Sequence, residues 1–319
     1  MSMQSWIEPL ESRQLLSGAP NLAMSTSQLV FSEVAGSTTA YQQIKLKNTG
    51  SAKLTLGSIS IGGADASEFT LSMKRMPTKL GHGATYSVKV AFKPTAAGVA
   101  NATLDVASND PDMAVSSVPL RGLGADGLYE VHEPSLQRIL DTLQIPVNVG
   151  DLDPTTGVLD GPGPSDEVPL QLMHKAGKGP VRITPIASYS WDSSPVAQFG
   201  WYSPAPPKPV THKLFTIPAH ATETLMPRTT GATKFDPGNA VFGLYSTWPY
   251  QAHGPVYTQD GRNTWASPTG TDHQHEVRFY PYKTPDGKTV ANTYVAAVEE
   301  AFNSDFQDAV FIISNVAPL

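Results

Sequence analysis

Four carboxylates, Glu299, Glu300, Asp305 and Asp308, fall within ten positions inside the run TYVAAVEEAFNSDFQDAVFIISNV from Thr293 to Val316. The flanks have period two: Tyr294, Ala296 and Val298 before the acids, then Val310 and Ile312 against Phe311 and Ile313 after them, so two strands joined as a hairpin are expected. Carboxylates crowded into a loop between buried strands repel one another by roughly the few kcal/mol that Coulomb's law gives for close charges at intermediate dielectric. Two arrangements relieve this: the side chains fan into water, or a cation sits among them. The cation expected is calcium.

A second polar constellation is Asp272-His273-Gln274-His275-Glu276. On a strand, His273 and His275 point to one face, as paired imidazole ligands require, with Asp272 or Glu276 as a third ligand or an acceptor behind them. The strand pattern Val277 to Tyr282 follows at once, which favours a plain polar strand start. The alternative is a metal-dependent hydrolase with an open coordination position at the His273/His275 pair. The sequence contains no G-x-S-x-G, no H-E-x-x-H and no phosphate-binding glycine loop, so catalysis would need scattered residues. The acidic stretch Gly150 to Gly161 has the look of an EF-hand loop, but its turn glycine falls one place late and Pro162 stands where the bidentate Glu belongs; a structural turn is preferred. Trp191, Trp201, Trp248, Tyr250, Tyr257 and Trp265 lie mostly in or beside Pro- and Gly-rich loops, where flat rings can stack on the apolar faces of sugars. Each alone reads as core or loop anchoring; together they make a candidate ligand-binding surface.

The elements that must hold these groups are strands. The chain has 319 residues, enough for two domains, with 16% charged residues, 26 Gly and 28 Pro, a composition that suits short strands and turns and points to an all-β fold. A formal net charge of −6 and a pI near 5.7 leave no basic stripe for nucleic acid or an anionic membrane. With no cysteine, disulfides and thiolate chemistry are excluded. No apolar run approaches the ~20 residues that span a bilayer.

From about residue 25 to 125 strand patterns recur at regular spacing. Leu29 and Phe31 open the series, Ile44 and Leu46 alternate with Gln43, Lys45 and Lys47, and Leu54, Leu56, Ile59 and Ile61 follow. Tyr86, Val88, Val90 and Phe92 come next, then Ala102, Leu104 and Val106, then Val118 and Leu120, with turns at Asn48-Thr49-Gly50, Gly62-Gly63 and Asn109-Asp110-Pro111. The blocks LKNTGSAKLTLGSISIGGADASEFTL and VAFKPTAAGVANATLDVASNDP resemble the choice-of-anchor D domain, a relative of the ASPM-SPD-2-Hydin family. The resemblance implies an immunoglobulin-like spacer or protein-interaction module without catalysis. His82, between two glycines, fits a solvent-facing turn.

Ala125-Asp126-Gly127 is the expected linker to a second domain, 127–319. There Pro134 starts a short helix whose Leu136, Ile139, Leu140 and Leu143 share one face, expected to cover an edge or end of the second sheet. Two stretches echo each other, QFGWYS from Gln198 and VFGLYS from Val241; a glycine within an aromatic strand signals a bulge or a close backbone approach. Between them, Ser203 to Gly238 reads as a long excursion off the sandwich. The C-terminal run is similar to the EDxxxxDxDFxDxVF ending of calcium-associated jelly-roll domains in secreted bacterial proteins, with Glu299-Glu300, Asn303, Asp305-Phe306, Asp308 and Val310-Phe311 in the corresponding places. At the other end, Glu8 to Ser17 resembles the EPLESRxLLS motif of exported planctomycete proteins, which makes residues 1–24 an export or sorting tail. The whole reads as two tandem β-sandwiches, immunoglobulin-like and then a larger jelly-roll-like domain with one short helix. An extracellular or cell-surface protein is expected, holding calcium and binding a protein or polysaccharide partner.

Overall fold

The computed structural model of the chain describes residues 18–128, 132–150, 164–190, 196–205, 207–219, 221–248, 254–264, 274–300 and 303–319. The fold is all-β with a single α-helix among these residues. The first eight strands are β1 (Leu22–Met24), β2 (Leu29–Val34), β3 (Gln42–Asn48), β4 (Leu56–Gly62), β5 (Phe69–Met73), β6 (Thr85–Phe92), β7 (Gly98–Ser108) and β8 (Val115–Ala125). They form two four-stranded sheets, in the orders β1-β3-β6-β5 and β2-β8-β7-β4. Alternation places them: on β3, Ile44 and Leu46 are fully buried while Gln43, Lys45 and Lys47 face water. The inward residues Leu29, Phe31, Leu54, Leu56, Ile59, Val88, Val90, Phe92, Leu104, Val106, Val118 and Leu120 make one core, as the sequence pattern requires. Phe31, Phe69 and Phe92 meet at its centre with ring centroids 5.0 to 6.3 Å apart.

Two features of this half were not expected. β1 pairs with β3 inside the stretch read as a tail, so ordered structure starts before residue 25. β2 runs parallel to β8, joining the first long strand to the last with Leu29 opposite Leu120 and Val34 opposite Ala125. Ala125, expected in a linker, therefore ends a strand.

The remainder comprises α1 (Leu136–Thr142), β9 (Met173–Lys175), β10 (Val181–Ser188), β11 (Ala197–Ser203), β12 (Val210–Ile217), β13 (Thr224–Leu225), β14 (Thr230–Gly231), β15 (Lys234–Phe235), β16 (Gly243–Thr247), β17 (Val256–Tyr257), β18 (Val277–Lys283), β19 (Thr289–Val298), β20 (Ala309–Ser314) and β21 (Val316–Pro318). One sheet runs β13-β10-β20-β19-β18 with β15 also on β10; the other runs β14-β12-β11-β16-β17; β21 and β9 pair separately. The two larger sheets face each other across a core in which Phe199 meets Phe311 edge to face at 4.9 Å.

The echoing stretches turn out to be neighbours. β11 and β16 pair antiparallel with Gly200 opposite Tyr245 and Tyr202 opposite Gly243. A Cβ on Gly200 would sit 2.2 Å from the His212 carbonyl and 2.6 Å from the Tyr245 ring, and one on Gly243 would sit 2.4 Å from the Tyr202 ring. Each glycine makes room for the tyrosine of the other strand, and the β11–β12 register slips at Phe199/Gly200 as expected of a bulge. The excursion expected from Ser203 to Gly238 is corrected: β12 lies within it and pairs along the whole of β11. Its outer half is exposed, so only Phe215 and Ile217 carry the inward pattern, too few to mark a strand.

α1 begins at Leu136, with Ser135 rather than Pro134 at its boundary, and the Ser135 side chain accepts from the Arg138 amide at 3.4 Å. Its apolar face does not cover the second sheet alone. Leu136, Ile139 and Leu140 pack in a third core with Leu123 of β8 and with Ile186, Tyr189, Tyr280, Val295 and Phe306.

Candidate metal centre

β19 and β20 are the expected hairpin strands, paired from Thr293 opposite Ser314 to Val298 opposite Ala309. The acids lie between their ends, and all four are buried. The alternative in which they fan into water does not hold: the acids are carried inside at the sheet end. Hydrogen bonds span the loop. Glu299 Oε2 accepts from the amides of Asp305 at 3.0 Å and Phe306 at 3.2 Å, while Asp308 Oδ2 accepts from the Glu300 amide at 2.6 Å. Each side of the loop caps the backbone of the other. Ser304 and Phe306 adopt φ of 60° and 57°, a left-handed conformation unusual for such residues and costing of order 1 kcal/mol or more apiece.

Glu299, Asp305 and Asp308 each present an oxygen, and these oxygens lie within 4.8 Å of one another. Oxygens that far apart can share one ion at about 2.4 Å, the calcium–oxygen distance. Amide groups complete the oxygen set. Asn303 Nδ2 and Gln307 Nε2 both donate to Asp305 Oδ2, at 2.6 and 2.9 Å. That leaves Asn303 Oδ1, Gln307 Oε1 and Asp305 Oδ1 buried with no hydrogen-bond partner among the described residues. A buried oxygen without a donor costs of order 1–3 kcal/mol, and this convergence of acceptors is an arrangement that could hold a cation. The donors of the triad and its amides are all hard oxygens, which suits calcium better than a transition metal. Glu300 adjoins the triad through its backbone amide.

The electrostatics agree. Burial first, then the charges of Glu299 and Glu133, push the Asp305 carboxyl up to about 9. Asp308 is raised by burial and by Glu299, Glu300 and Asp305. Glu276 is pushed up to about 9 by burial, Glu299 and Asp260. These raised values favour protonated carboxyls at Asp305, Asp308 and Glu276, and a divalent ion bound among them would compete with those protons.

Glu276 joins the cluster although no sequence spacing links it there. It precedes β18, and the Glu299 amide donates to its carbonyl at 2.9 Å, a contact that only the sheet register creates. Glu133 likewise arrives from 166 residues upstream of Glu299, its Oε2 accepting from Gln307 Nε2 at 2.8 Å.

His273 lies outside the described residues. His275 is held between two carboxylates, Nε2 against Glu167 Oε1 at 2.6 Å and Nδ1 against Asp260 Oδ1 at 3.1 Å. The Glu167 bond is the largest influence raising its pKa. Of the candidate aromatics, Trp191, Tyr250 and Trp265 also lie outside the described residues. Trp248 is 1% exposed, with its ring edge-to-face on Phe199 and Nε1 donating to Ser246 Oγ at 3.1 Å, so it is corrected from a surface residue to a core one. Trp201 stacks on His212 at 4.0 Å and on Phe235 at 5.3 Å, which occupies its ring within the protein. Tyr257 packs edge to face on Tyr202 at 5.1 Å. The acidic loop of residues 150–161 falls almost wholly outside the described residues, as does the motif from Glu8 to Ser17.

Residues 19–125 match the family model of Cep192 domain 4, in keeping with an immunoglobulin-like module there. Three solved structures illustrate the similarities. A protein of unknown function from Porphyromonas gingivalis W83 is 18% identical over 33% of this chain and 46% of its own, with a TM-score of 0.28. The ASH/PapD-like domain 7 of human CEP192 is 18% identical over 40% of this chain and 98% of its own, TM-score 0.26. The secreted serine protease VesC from Vibrio cholerae is 12% identical over 93% of this chain and 50% of its own, TM-score 0.29. The chain thus spans under half of the Porphyromonas protein and half of VesC. No curated protein matches it.

Proposed function

We propose that this chain is a non-catalytic binding or structural protein of the cell exterior, in which calcium held by the β19–β20 loop stabilises the second sandwich. The observation that carries the metal reading is the buried Glu299, Asp305 and Asp308 triad with Asp305 Oδ1, Asn303 Oδ1 and Gln307 Oε1 left without donors. Glu299, Asp305 and Asp308 supply the charge, the two amide oxygens are neutral ligands, and Glu300 fixes Asp308 through its backbone. The ion offsets the repulsion that burial has concentrated and locks a loop otherwise held in strained backbone conformations.

The immunoglobulin-like module supports a role in protein contact, and the N-terminal motif supports export. A protein or polysaccharide at the cell exterior is the partner class, engaged through the second sandwich. Nucleic acid does not fit the net charge of −6, and no helix among the described residues is long and apolar enough to cross a membrane. The geometry of His275 favours this reading over a hydrolase. With a carboxylate on each ring nitrogen the imidazole is best protonated at both, and a doubly protonated ring has no lone pair for a metal.

The test is a thermal melt of the full chain with millimolar calcium and again with excess chelator, followed by a glycan panel. Four of the five tryptophans, Trp191, Trp201, Trp248 and Trp265, lie in the second half and the fifth is Trp6, so the change in tryptophan emission on melting is dominated by the second sandwich. A calcium-dependent rise in its melting temperature is expected; identical melts would sink the site.

A further inference from the structure

The acidic loop does two things at once. Glu299, Asp305 and Asp308 form the candidate ion site, while Phe306 and Gln307, between the two aspartates, make contacts that lead on to the first sandwich. Phe306 is buried in the third core, whose members include Leu123 of β8, the apolar face of α1, and Tyr189, Ile186 and Leu225 beside β2. Gln307 works through both of its ends. Its side-chain Nε2 donates to Asp305 Oδ2 and to Glu133 Oε2, and Glu133 stands immediately before Pro134 and α1, which packs on β7 and β8. Its carbonyl accepts from the Tyr189 amide at 3.1 Å, and the Tyr189 hydroxyl meets Ser32 Oγ of β2 at 2.5 Å. Two chains of contact therefore leave the loop for the first sandwich, one through Glu133 and α1 and one through Tyr189 and Ser32.

We infer that occupancy of the acidic loop sets how rigidly the two sandwiches are joined: with the ion bound the junction is fixed, and without it the junction is a hinge. This rests on the calcium reading above and goes beyond it, because an ion could stabilise the second sandwich without touching the junction. The physical link is the loop's short span. The six residues 303–308 supply two of the three carboxylates of the site, Asp305 and Asp308, and also Phe306 to the shared core and Gln307 to both polar ties. Loosening the loop loosens all three contacts together. An ion preferring the ordered loop shifts the population towards the docked arrangement by its differential affinity.

The chain has no cysteine, so Lys53→Cys and Lys178→Cys, at exposed positions one in each sandwich, give a clean pair for spin labels. The full labelled chain is measured by pulsed dipolar spectroscopy with calcium and with chelator, and calcium binding is read in parallel by calorimetry. Calcium is expected to narrow the inter-label distance distribution to about half its metal-free width, and chelator to restore it. Tyr189→Phe, which keeps the ring but removes the hydroxyl tie to Ser32, is expected to bind calcium within about three-fold of the parent and to narrow less. Binding heat with an unchanged distribution overturns the junction and leaves the calcium reading standing. Absence of binding heat overturns both. Full narrowing in Tyr189→Phe overturns the Tyr189 route.

Discussion

Asp110 in the first sandwich and Asp305 in the second are both withdrawn from water, at 4% and 2% exposure, yet their surroundings differ in kind. Asp110 Oδ2 accepts from the Leu22 amide at 2.7 Å and Oδ1 from the Asp112 amide at 3.0 Å, so its charge pins the edge strand β1 and closes a turn. Asn48, fully buried in the same half, donates to the carbonyls of Ala52 and Leu80 and accepts from the Gly50 amide. Asp305 is handed two amide donors on one oxygen and none on the other, with Glu299 and Asp308 beside it. The first arrangement is satisfied within the protein; the second leaves buried oxygens without donors, which is what the proposed cation would complete. A buried polar group that is fully bonded is a structural element, whereas several acceptors turned on one another mark a place built for something to bind.

The comparison can be broken most forcefully at Asp305. Calcium at about a hundred times its dissociation constant adds about 2.7 kcal/mol, or roughly 5–10 °C in a domain of this size, and Asp305→Asn should abolish most of that gain. In chelator near neutral pH the same variant should melt close to the parent, because burial and the neighbouring acids already hold the Asp305 carboxyl protonated there. A variant less stable than the parent in chelator would show that the charge is satisfied internally. Asp110→Asn should instead lower stability by about 1–2 kcal/mol, equally with and without calcium, since it weakens two charge-assisted bonds. Differential scanning calorimetry of both variants decides between these outcomes.

A smaller effect concerns pH. Asp305 and Glu276 sit near 9 in the folded chain against about 4 when unfolded, so between those values the native state holds protons that the unfolded state has released. The metal-free second sandwich should therefore lose stability as pH rises from about 5 to 8, and saturating calcium should flatten the profile. Denaturation midpoints followed by tryptophan emission test the slope, and a metal-free midpoint that climbs with pH contradicts it. The smallest effect is at His275. Its raised pKa contributes stability that is present below about 6.5 and lost as pH rises through the folded value. Its side chain is 42% exposed, so solvent screens the effect. The slope that remains in calcium should disappear in His275→Gln.

Much of the fold was legible because strand alternation is a local signal. Ile44 and Leu46, Val88 and Val90, and Leu104 and Val106 entered the core as their spacing requires. β12 was missed because its first four residues are exposed and its pattern is confined to Leu214 to Ile217. β1 was missed because three residues carry too short a pattern to read. The acids at 299–308 were legible as a cluster, since they are neighbours in the chain, and their burial was not. Nothing local distinguishes a loop folded over a sheet end from one extended into water. Trp248 shows the same limit in reverse, being a ring beside a proline that packing drew inside.

By itself the sequence determined the all-β class, the hairpin around the acids, the glycines that must admit close neighbours, and the oxygen chemistry available to a cation. These depend on residue types at short spacing, where backbone geometry leaves few choices. Tertiary structure alone decided that β2 would join β8, that Gly200 and Gly243 would each face the other's tyrosine, and that Glu276 and Glu133 would reach the acidic loop. It also placed α1 and Phe306 in a core shared between the sandwiches. The reason is register. Which strand pairs with which, and at what offset, follows from the packing of whole faces against each other, and it brings together carboxylates that no local pattern connects.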